Sequence, residues 1–147
     1  MAEYKSDTYT AQETAGNKSA SMIATAHLVS GKSQFLQAEV TIPAGTSAND
    51  TILAAFLPAG VSVIPGLITI TTAVECGSNS FNIGTADAPD GIATGATAET
   101  VGTANLGAAG VVGSYSNSTS QALVITLSDA LTEGGKFFLN IPLVNSN

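Results

Sequence analysis

The sequence contains no arginine and no tryptophan, and it has one cysteine and one histidine among 147 residues. Four lysines stand against eleven acidic residues, which gives a formal net charge of −7. Affinity for DNA and RNA comes largely from Lys and Arg side chains that neutralise phosphates, so this chain cannot assemble the usual basic footprint. Anionic membrane surfaces are disfavoured for the same reason. We therefore expect neither nucleic acid nor a membrane as a partner.

The few side chains that could hold a metal or perform chemistry are isolated from one another. Cys76 is alone, so it can form no intrachain disulfide, and we expect a small buried residue at a strand end. His27 has no second histidine nearby and is expected to be an ordinary packed or surface residue. Asp87 and Asp90 could offer two carboxylates to a cation, but a calcium loop needs more oxygen ligands at closer spacing. A simple turn is expected there, with no metal.

The motifs of common catalytic sites are missing as well. The sequence has no nucleophile elbow, no His-Glu-x-x-His, no phosphate-binding loop and no dinucleotide glycine pattern. We expect no enzyme, no catalytic residue and no cofactor. The start of the chain lacks the basic and apolar regions of a secretory signal, so we expect a product that is made in the cytoplasm and leaves it, if at all, by another route.

Charge is scarce overall. Charged residues make up 10% of the chain and the mean hydropathy is +0.31, whereas the surface of an isolated soluble domain usually carries about 25–35% charged residues. We expect Ser, Thr and Asn to form much of the polar surface and neighbouring subunits to cover part of it.

Two-residue alternation of apolar side chains indicates β-strands through most of the chain. In Leu67–Val74, Ile68, Ile70 and Val74 fall on one face and polar or small residues on the other, the period of a half-buried strand. Gln34–Ile42 alternates in the same way. These patterns predict sheets with one buried face.

About eight short strands separated by turn residues predict an all-β domain, a two-sheet antiparallel sandwich. Thr51–Leu57 is apolar on both faces and suits a central strand. Phe137 is predicted to lie in this core, so Phe137→Ala should destabilise the fold. The residues predicted to form it are Leu36, Val40, Ile68, Ile70, Phe81, Ile83, Leu123, Ile125, Phe137 and Ile141.

Several connections can be predicted from turn chemistry. Gly77-Ser78-Asn79 predicts a hairpin between Leu67–Val74 and Phe81–Ile83. Pro142 lacks a backbone donor, so the end of the last strand is expected at a sheet edge or beyond the ladder. Ala86–Gly110, which is rich in Gly, Ala and Thr, predicts either a long surface loop or a pair of weak edge strands. Further strands are predicted at Ser21–Val29 and Val111–Tyr115.

The first twenty residues differ from the rest. Met1–Ala20 has no apolar periodicity, and it is predicted to be an extended N-terminal arm outside a sandwich formed by residues 21–147. Tyr4 and Tyr9 are the candidate interface residues, because tyrosine offers a large contact area at low entropic cost. A tail without a partner is the alternative.

Two short segments resemble a known pattern. Leu57-Pro58-Ala59-Gly60-Val61 and Ser80–Asp87 (SFNIGTAD), with Asp90 and Gly91 after them, are similar to segments of small virion proteins of tailed bacteriophages. In those proteins a Leu-Pro-Ala-Gly turn leads into one strand, and another strand ends in a Gly-Thr-Ala-Asp corner. The resemblance implies a head decoration, cement or fibre-base subunit with a jelly-roll-like sandwich and an N-terminal arm.

The same resemblance implies the partners. They would be the major capsid protein and other copies of this chain, with a trimer favoured, in a virion assembled in the host cytoplasm. It carries over no catalytic residue.

Two other functions stay open at this stage. A tail-tube or fibre subunit would also be rich in β-structure and low in charge, and the symmetry of its oligomer would distinguish it. A carbohydrate-binding or adhesin sandwich would need an exposed aromatic platform. For such a platform the chain has only Tyr4, Tyr9 and Tyr115 beside five phenylalanines. Three of these phenylalanines, Phe35, Phe56 and Phe138, could face outward.

Overall fold

The structure, a computed structural model, describes residues 1–6, 9–10, 33–64, 67–106, 116 and 118–145. These residues form ten β-strands, and no described helix is long and apolar enough to cross a membrane. In chain order the strands are β1 (Glu3–Lys5), β2 (Ser33–Ile42), β3 (Thr51–Leu57), β4 (Val61–Val63), β5 (Thr69–Val74), β6 (Ser80–Gly84), β7 (Ala93–Thr97), β8 (Gly102–Asn105), β9 (Gln121–Leu127) and β10 (Gly135–Asn145).

The strands form two sheets with a shared core. The first sheet has the order β1-β3-β9-β6-β7. The second has the order β2-β10-β5-β8, and the short β4 also pairs with β10. All pairs are antiparallel except β1 with β3, which is parallel.

Four of the antiparallel pairs are nested along the chain. β2 pairs with β10, β3 with β9, β5 with β8, and β6 with β7. This nested pairing arises when one long hairpin is rolled into two layers. It is the pairing of the eight-stranded jelly roll. The predicted sandwich is therefore confirmed, with β1 and β4 as additions to its eight strands.

The core between the sheets is built from the inward faces of alternating strands. All ten residues predicted to lie there are buried, none with more than 4% of its surface exposed. Alternation along β2 is regular, because Leu36, Ala38, Val40 and Ile42 point inward. Cys76 is also fully buried just after β5, as predicted.

The predicted hairpin around Gly77 is wrong. β5 belongs to the second sheet and β6 to the first, so residues 75–79 carry the chain across the sandwich. Gly77 does take a positive φ of 60°, and the N–H of Cys76 donates to the carbonyl of Ala98 at 2.8 Å. A short turn with glycine can connect two strands of one hairpin or two strands of different sheets. Because both strands have one apolar face in either case, the local sequence does not distinguish the two connections.

The expectation for Pro142 is also wrong. β10 is an internal strand, and Pro142 is buried opposite Phe35 of β2. Its carbonyl accepts a hydrogen bond of 3.0 Å from the N–H of Ile64. The nitrogen of a strand residue faces the same neighbour as its carbonyl in an antiparallel ladder. On that side of β10, Asn140 is the last residue that pairs with β5, and Leu143 is the first that pairs with β4. Pro142 lies between them, so its missing N–H falls where the neighbouring strand changes and breaks no ladder.

One predicted inward residue points outward. Val74 is 53% exposed, because the register of β5 on β10 shifts between Phe137, which faces Thr72, and Lys136, which faces Val74. An extra residue in one strand reverses the alternation after it.

The weak central segment forms edge strands. Of the two alternatives for Ala86–Gly110, the structure has β7 at the edge of the first sheet and β8 at the edge of the second. β3 is internal, as predicted, because β1 covers its outer side. The predicted strands Ser21–Val29 and Val111–Tyr115, with His27, lie outside the described residues.

Candidate interaction site

The beginning of the chain lies along its own first sheet. β1 pairs with β3 so that Tyr4 faces Ile52. The N–H of Thr51 donates to the carbonyl of Ala2 at 3.0 Å, and the N–H of Ser6 donates to the carbonyl of Leu53 at 2.8 Å. Residues 1–6 therefore extend the sheet by one strand. The boundary predicted at residue 20 lies outside the described residues.

Ser6 follows this strand and caps a helical segment that includes Tyr9 and Thr10. Its hydroxyl accepts a hydrogen bond of 2.9 Å from the N–H of Tyr9 and donates to the carbonyl of Ala54. The N–H of Thr10 donates to the Ser6 carbonyl at 2.9 Å. A serine hydroxyl that binds the third N–H of a turn is a common helix cap. Ser6 is 1% exposed, so both of its bonds are shielded from water.

Tyr9 covers an apolar patch on the outer face of the first sheet. Its ring is stacked on Phe56 with the centroids 4.6 Å apart and the planes at 21°. Leu53 of β3 and Val124 of β9 complete the patch, with Ala122 at its side. The five side chains form a second apolar cluster, on the opposite face of the sheet from the main core. We call it the outer cluster.

A carboxylate holds the other end of β1. Asp50, just before β3, accepts hydrogen bonds from the N–H of Ala2 at 2.6 Å and from the N–H of Ser47 at 2.9 Å. These bonds, that of Ala2 first, hold the pKa of Asp50 below its ordinary value of 3.8 because they favour the charged form. Asp50 therefore ties the N-terminal strand to the turn that precedes β3.

The structure places the two candidate interface residues in different environments. Tyr4 is half-buried and packs against the main core, whereas Tyr9 is 8% exposed and belongs to the outer cluster. Both side chains therefore contact their own chain, and they do not form one exposed patch. An interface role for Tyr4 and Tyr9 stays a prediction. Sequence reasoning did not identify Ser6, Asp50 or Phe56 as the residues that fix this segment.

The turn containing Asp87 and Asp90 is held by its backbone. The N–H of Thr85 donates to the Ala88 carbonyl at 2.9 Å, and the N–H of Gly91 donates to the same carbonyl at 3.0 Å. Asp87 accepts a hydrogen bond of 3.1 Å from the Gln121 amide. Among the described residues, no three His, Cys, Asp or Glu side chains are grouped as a metal site would require.

Burial accounts for the state of Cys76. Desolvation of the thiolate raises the pKa of Cys76 to about 11, because the charged form loses its hydration in the core. At neutral pH the thiol is protonated, and it behaves as a small apolar side chain.

The outer surface of the second sheet is polar with little net charge. Lys136 of β10 forms an ion pair with Glu39 of β2 and lies 5.8 Å from the ring centroid of Phe138. Phe35 is 71% exposed, whereas Phe138 is half-buried and Phe56 lies under Tyr9. The three phenylalanines therefore do not form the exposed aromatic platform that glycan binding would need.

A groove of about 360 Å³ lies between β7 and β8, the edges of the two sheets. Its lining residues are Ile70, Thr94, Gly95, Ala96, Thr97, Ala104, Asn105 and Leu106. None of these side chains is acidic, basic or a thiol, so this groove offers no acid and base pair.

Comparison with known proteins gives a likeness of fold. No protein-family model and no curated protein sequence matches the chain. Among solved structures, a chain of the capsid asymmetric unit of cyanophage Pam1 is similar at 16% identity and a TM-score of 0.58, over 78% of this chain and 86% of that one. A chain of the acidic stable capsid of Helicobacter pylori bacteriophage KHP30 is similar at 15% identity and a TM-score of 0.48, over 78% of this chain and 89% of that one.

Proposed function

We propose that the chain is a structural protein of a bacteriophage virion, a decoration or cement subunit that binds the head and stabilises it. The observation that carries the proposal is the jelly roll shared with the Pam1 capsid chain over most of both chains. At 16% identity this likeness concerns the fold, and the same fold hosts many functions. The composition and the virion-like motifs supply the rest of the argument.

The surface supports a role in wide, mostly uncharged contacts. Among the described residues, large apolar side chains such as Phe35 and Val101 are exposed. The outer face of the second sheet combines Thr, Asn and Gln with apolar residues such as Phe35 and Val74. Such faces bind by apolar burial at roughly 25 cal/mol per Å² and by hydrogen bonds. Repetition over many copies would multiply a contact that is weak in one subunit.

The proposed partners are the major capsid protein and other copies of this chain, with a trimer favoured. The N-terminal arm, residues 1–20, contributes in this proposal by lying on a neighbouring subunit. In this proposal Tyr4 and Tyr9 support the interface indirectly, by fixing the start of the arm on its own sheet. Met1, Glu3 and Lys5 stay exposed and can reach the neighbour. Net negative charge without arginine would keep the subunit off packaged DNA.

The proposal is tested by separating purified virions into heads and tails and detecting the chain in each fraction. We expect it on DNA-filled heads, and we expect molar salt to leave it there, because apolar and hydrogen-bonded contacts are weakly screened. Release by moderate salt, recovery with tails, or absence from virions would each overturn the head-stabilising role.

A further inference from the structure

The four strands at the edges of the two sheets differ in how well they are protected. β1 has three residues, two of them charged, and β8 has four with a glycine at φ 131°. β7 has five residues, a glycine at φ 61° and a register shift in its ladder with β6. Short length, charge, glycine and bulges are the features by which natural proteins prevent an edge strand from pairing with another chain.

β2 lacks these features except for a single charged residue. It runs for ten residues, SQFLQAEVTI, without proline, glycine or lysine, and its ladder with β10 continues from Ser33 to Ile42 without a shift. Its one charge, Glu39, is paired with Lys136 on its own sheet. The exposed Phe35 lies on this strand. No other described strand pairs with the outer side of β2.

We propose that β2 is a docking edge for β2 of a second copy of this chain, paired antiparallel about a two-fold axis at Ala38. The contact would join two second sheets into one continuous sheet, in the order β5-β10-β2 followed by β2-β10-β5 of the second copy. This two-fold contact is separate from the trimer contact favoured above, and it does not depend on the proposed function, because such a pair can form without a virion.

Burial fixes the possible registers. Leu36, Ala38 and Val40 face the core. Directly opposite residues of an antiparallel pair lie on the same face of the sheet. A register that keeps both cores intact must therefore pair even-numbered residues with even-numbered ones and odd-numbered residues with odd-numbered ones. The axis must then pass through a residue. An axis at Glu39 would set two carboxylates opposite each other, and an axis at Gln37 would set each Glu39 carboxylate against a Phe35 ring.

An axis at Ala38 gives a self-complementary contact. Gln37 of each copy faces Glu39 of the other, so that an amide donates to a carboxylate twice, and Phe35 faces Thr41. The paired segment, residues 34–42, uses nearly the whole strand. Because both copies use the same surface, the contact closes on itself as a dimer and does not propagate into a fibre. This complementarity favours a second copy over an unrelated strand.

The first test compares dimerisation of full-length variants by sedimentation equilibrium over a range of concentrations. Gln37→Glu sets a new carboxylate opposite Glu39 twice in each dimer, and like charges directly opposite in a sheet are unfavourable, so the dimer dissociation constant should rise about tenfold. Asn105→Asp makes the same change in net charge on the far edge, in β8, and should leave dimerisation unchanged. The double variant Gln37→Glu/Glu39→Gln restores an amide opposite a carboxylate and should recover the dimer.

The second test is disulfide trapping of the register. A mixture of the single variants Gln37→Cys and Glu39→Cys should form a mixed dimer on mild oxidation, because opposite residues lie within disulfide reach. Gln37→Cys alone should form little, since its two copies are diagonal and about 7–8 Å apart. A protein that is monomeric at every concentration, an oligomer that Gln37→Glu leaves unchanged, or efficient trapping by Gln37→Cys alone would overturn the proposal.

Discussion

The rings of Phe81 and Phe137 are stacked with their centroids 4.9 Å apart and their planes at 8°. Phe81 belongs to β6 of the first sheet and Phe137 to β10 of the second, and both are fully buried. The pair therefore bridges the two layers of the jelly roll. In a core otherwise composed mainly of Ile, Leu, Val and Ala, these rings are the largest fully buried side chains among the described residues.

Replacing one ring should open a cavity that the small neighbouring residues cannot fill. Phe137→Ala should lower the free energy of unfolding by about 3–5 kcal/mol. The matched control is Phe138→Ala, the next residue of the same strand, which faces outward and should cost much less. Urea unfolding of both variants measures the difference. Equal losses would contradict the assignment of Phe137 to the centre of the core.

The inward face of each strand can be predicted from the sequence because burial leaves a two-residue period. That period places Leu36, Ile70 and Phe137 correctly, but it carries no information about which sheet a strand joins. The prediction that β5 and β6 form a hairpin is wrong for this reason, although each is placed correctly as a strand. The nested pairing depends on contacts between distant parts of the chain, such as β2 with β10.

The candidate site is only partly visible in the sequence. Tyr4 and Tyr9 stand out as large side chains in a polar segment, but the outer cluster that receives Tyr9 is formed by residues from β3 and β9. Alternation with Leu123 and Ile125 places Val124 on the outer face, and Phe56 is a candidate outward ring, but nothing in the sequence brings either side chain beside Tyr9. The role of Asp50 is likewise not visible in the sequence, because it depends on the hydrogen bond from the N–H of Ala2, a residue 48 positions away along the chain.

The close approach of β10 to Cys76 leaves no room at Gly135. A Cβ on Gly135 would lie 3.1 Å from the Cα and 3.2 Å from the Cβ of Cys76, and it would meet Sγ at still closer range. Gly135→Ala should therefore cost about 1–3 kcal/mol through overpacking. In the double variant with Cys76→Ala the missing sulfur should relieve part of this loss. Additive losses in urea unfolding would contradict the contact.

Acid should weaken the attachment of β1. The folded-state pKa of Asp50 is lowered from 3.8, so its contribution is fully present above that value and is lost as the pH falls through the folded pKa. Asp50→Asn should be less stable than the parent at pH 7, and the difference should shrink below about pH 3.8. Thermal unfolding at a series of pH values measures it. A difference that grows on acidification would have the wrong sign.

The last prediction concerns whether Tyr9 acts within its own chain. Because its ring is 8% exposed and stacked on Phe56, Tyr9→Ala should destabilise the isolated subunit by about 2–3 kcal/mol. Phe56→Ala should lose part of the same interaction, so a double-mutant cycle should give a coupling energy of about 0.5–1.5 kcal/mol. Urea unfolding of the free protein measures both quantities. If the free subunit keeps its full stability while Tyr9→Ala weakens its binding to heads, Tyr9 contacts a neighbour, as the sequence suggested, and the outer cluster is not its site. If both effects appear, the ring holds the arm in the position from which its exposed residues reach the neighbour.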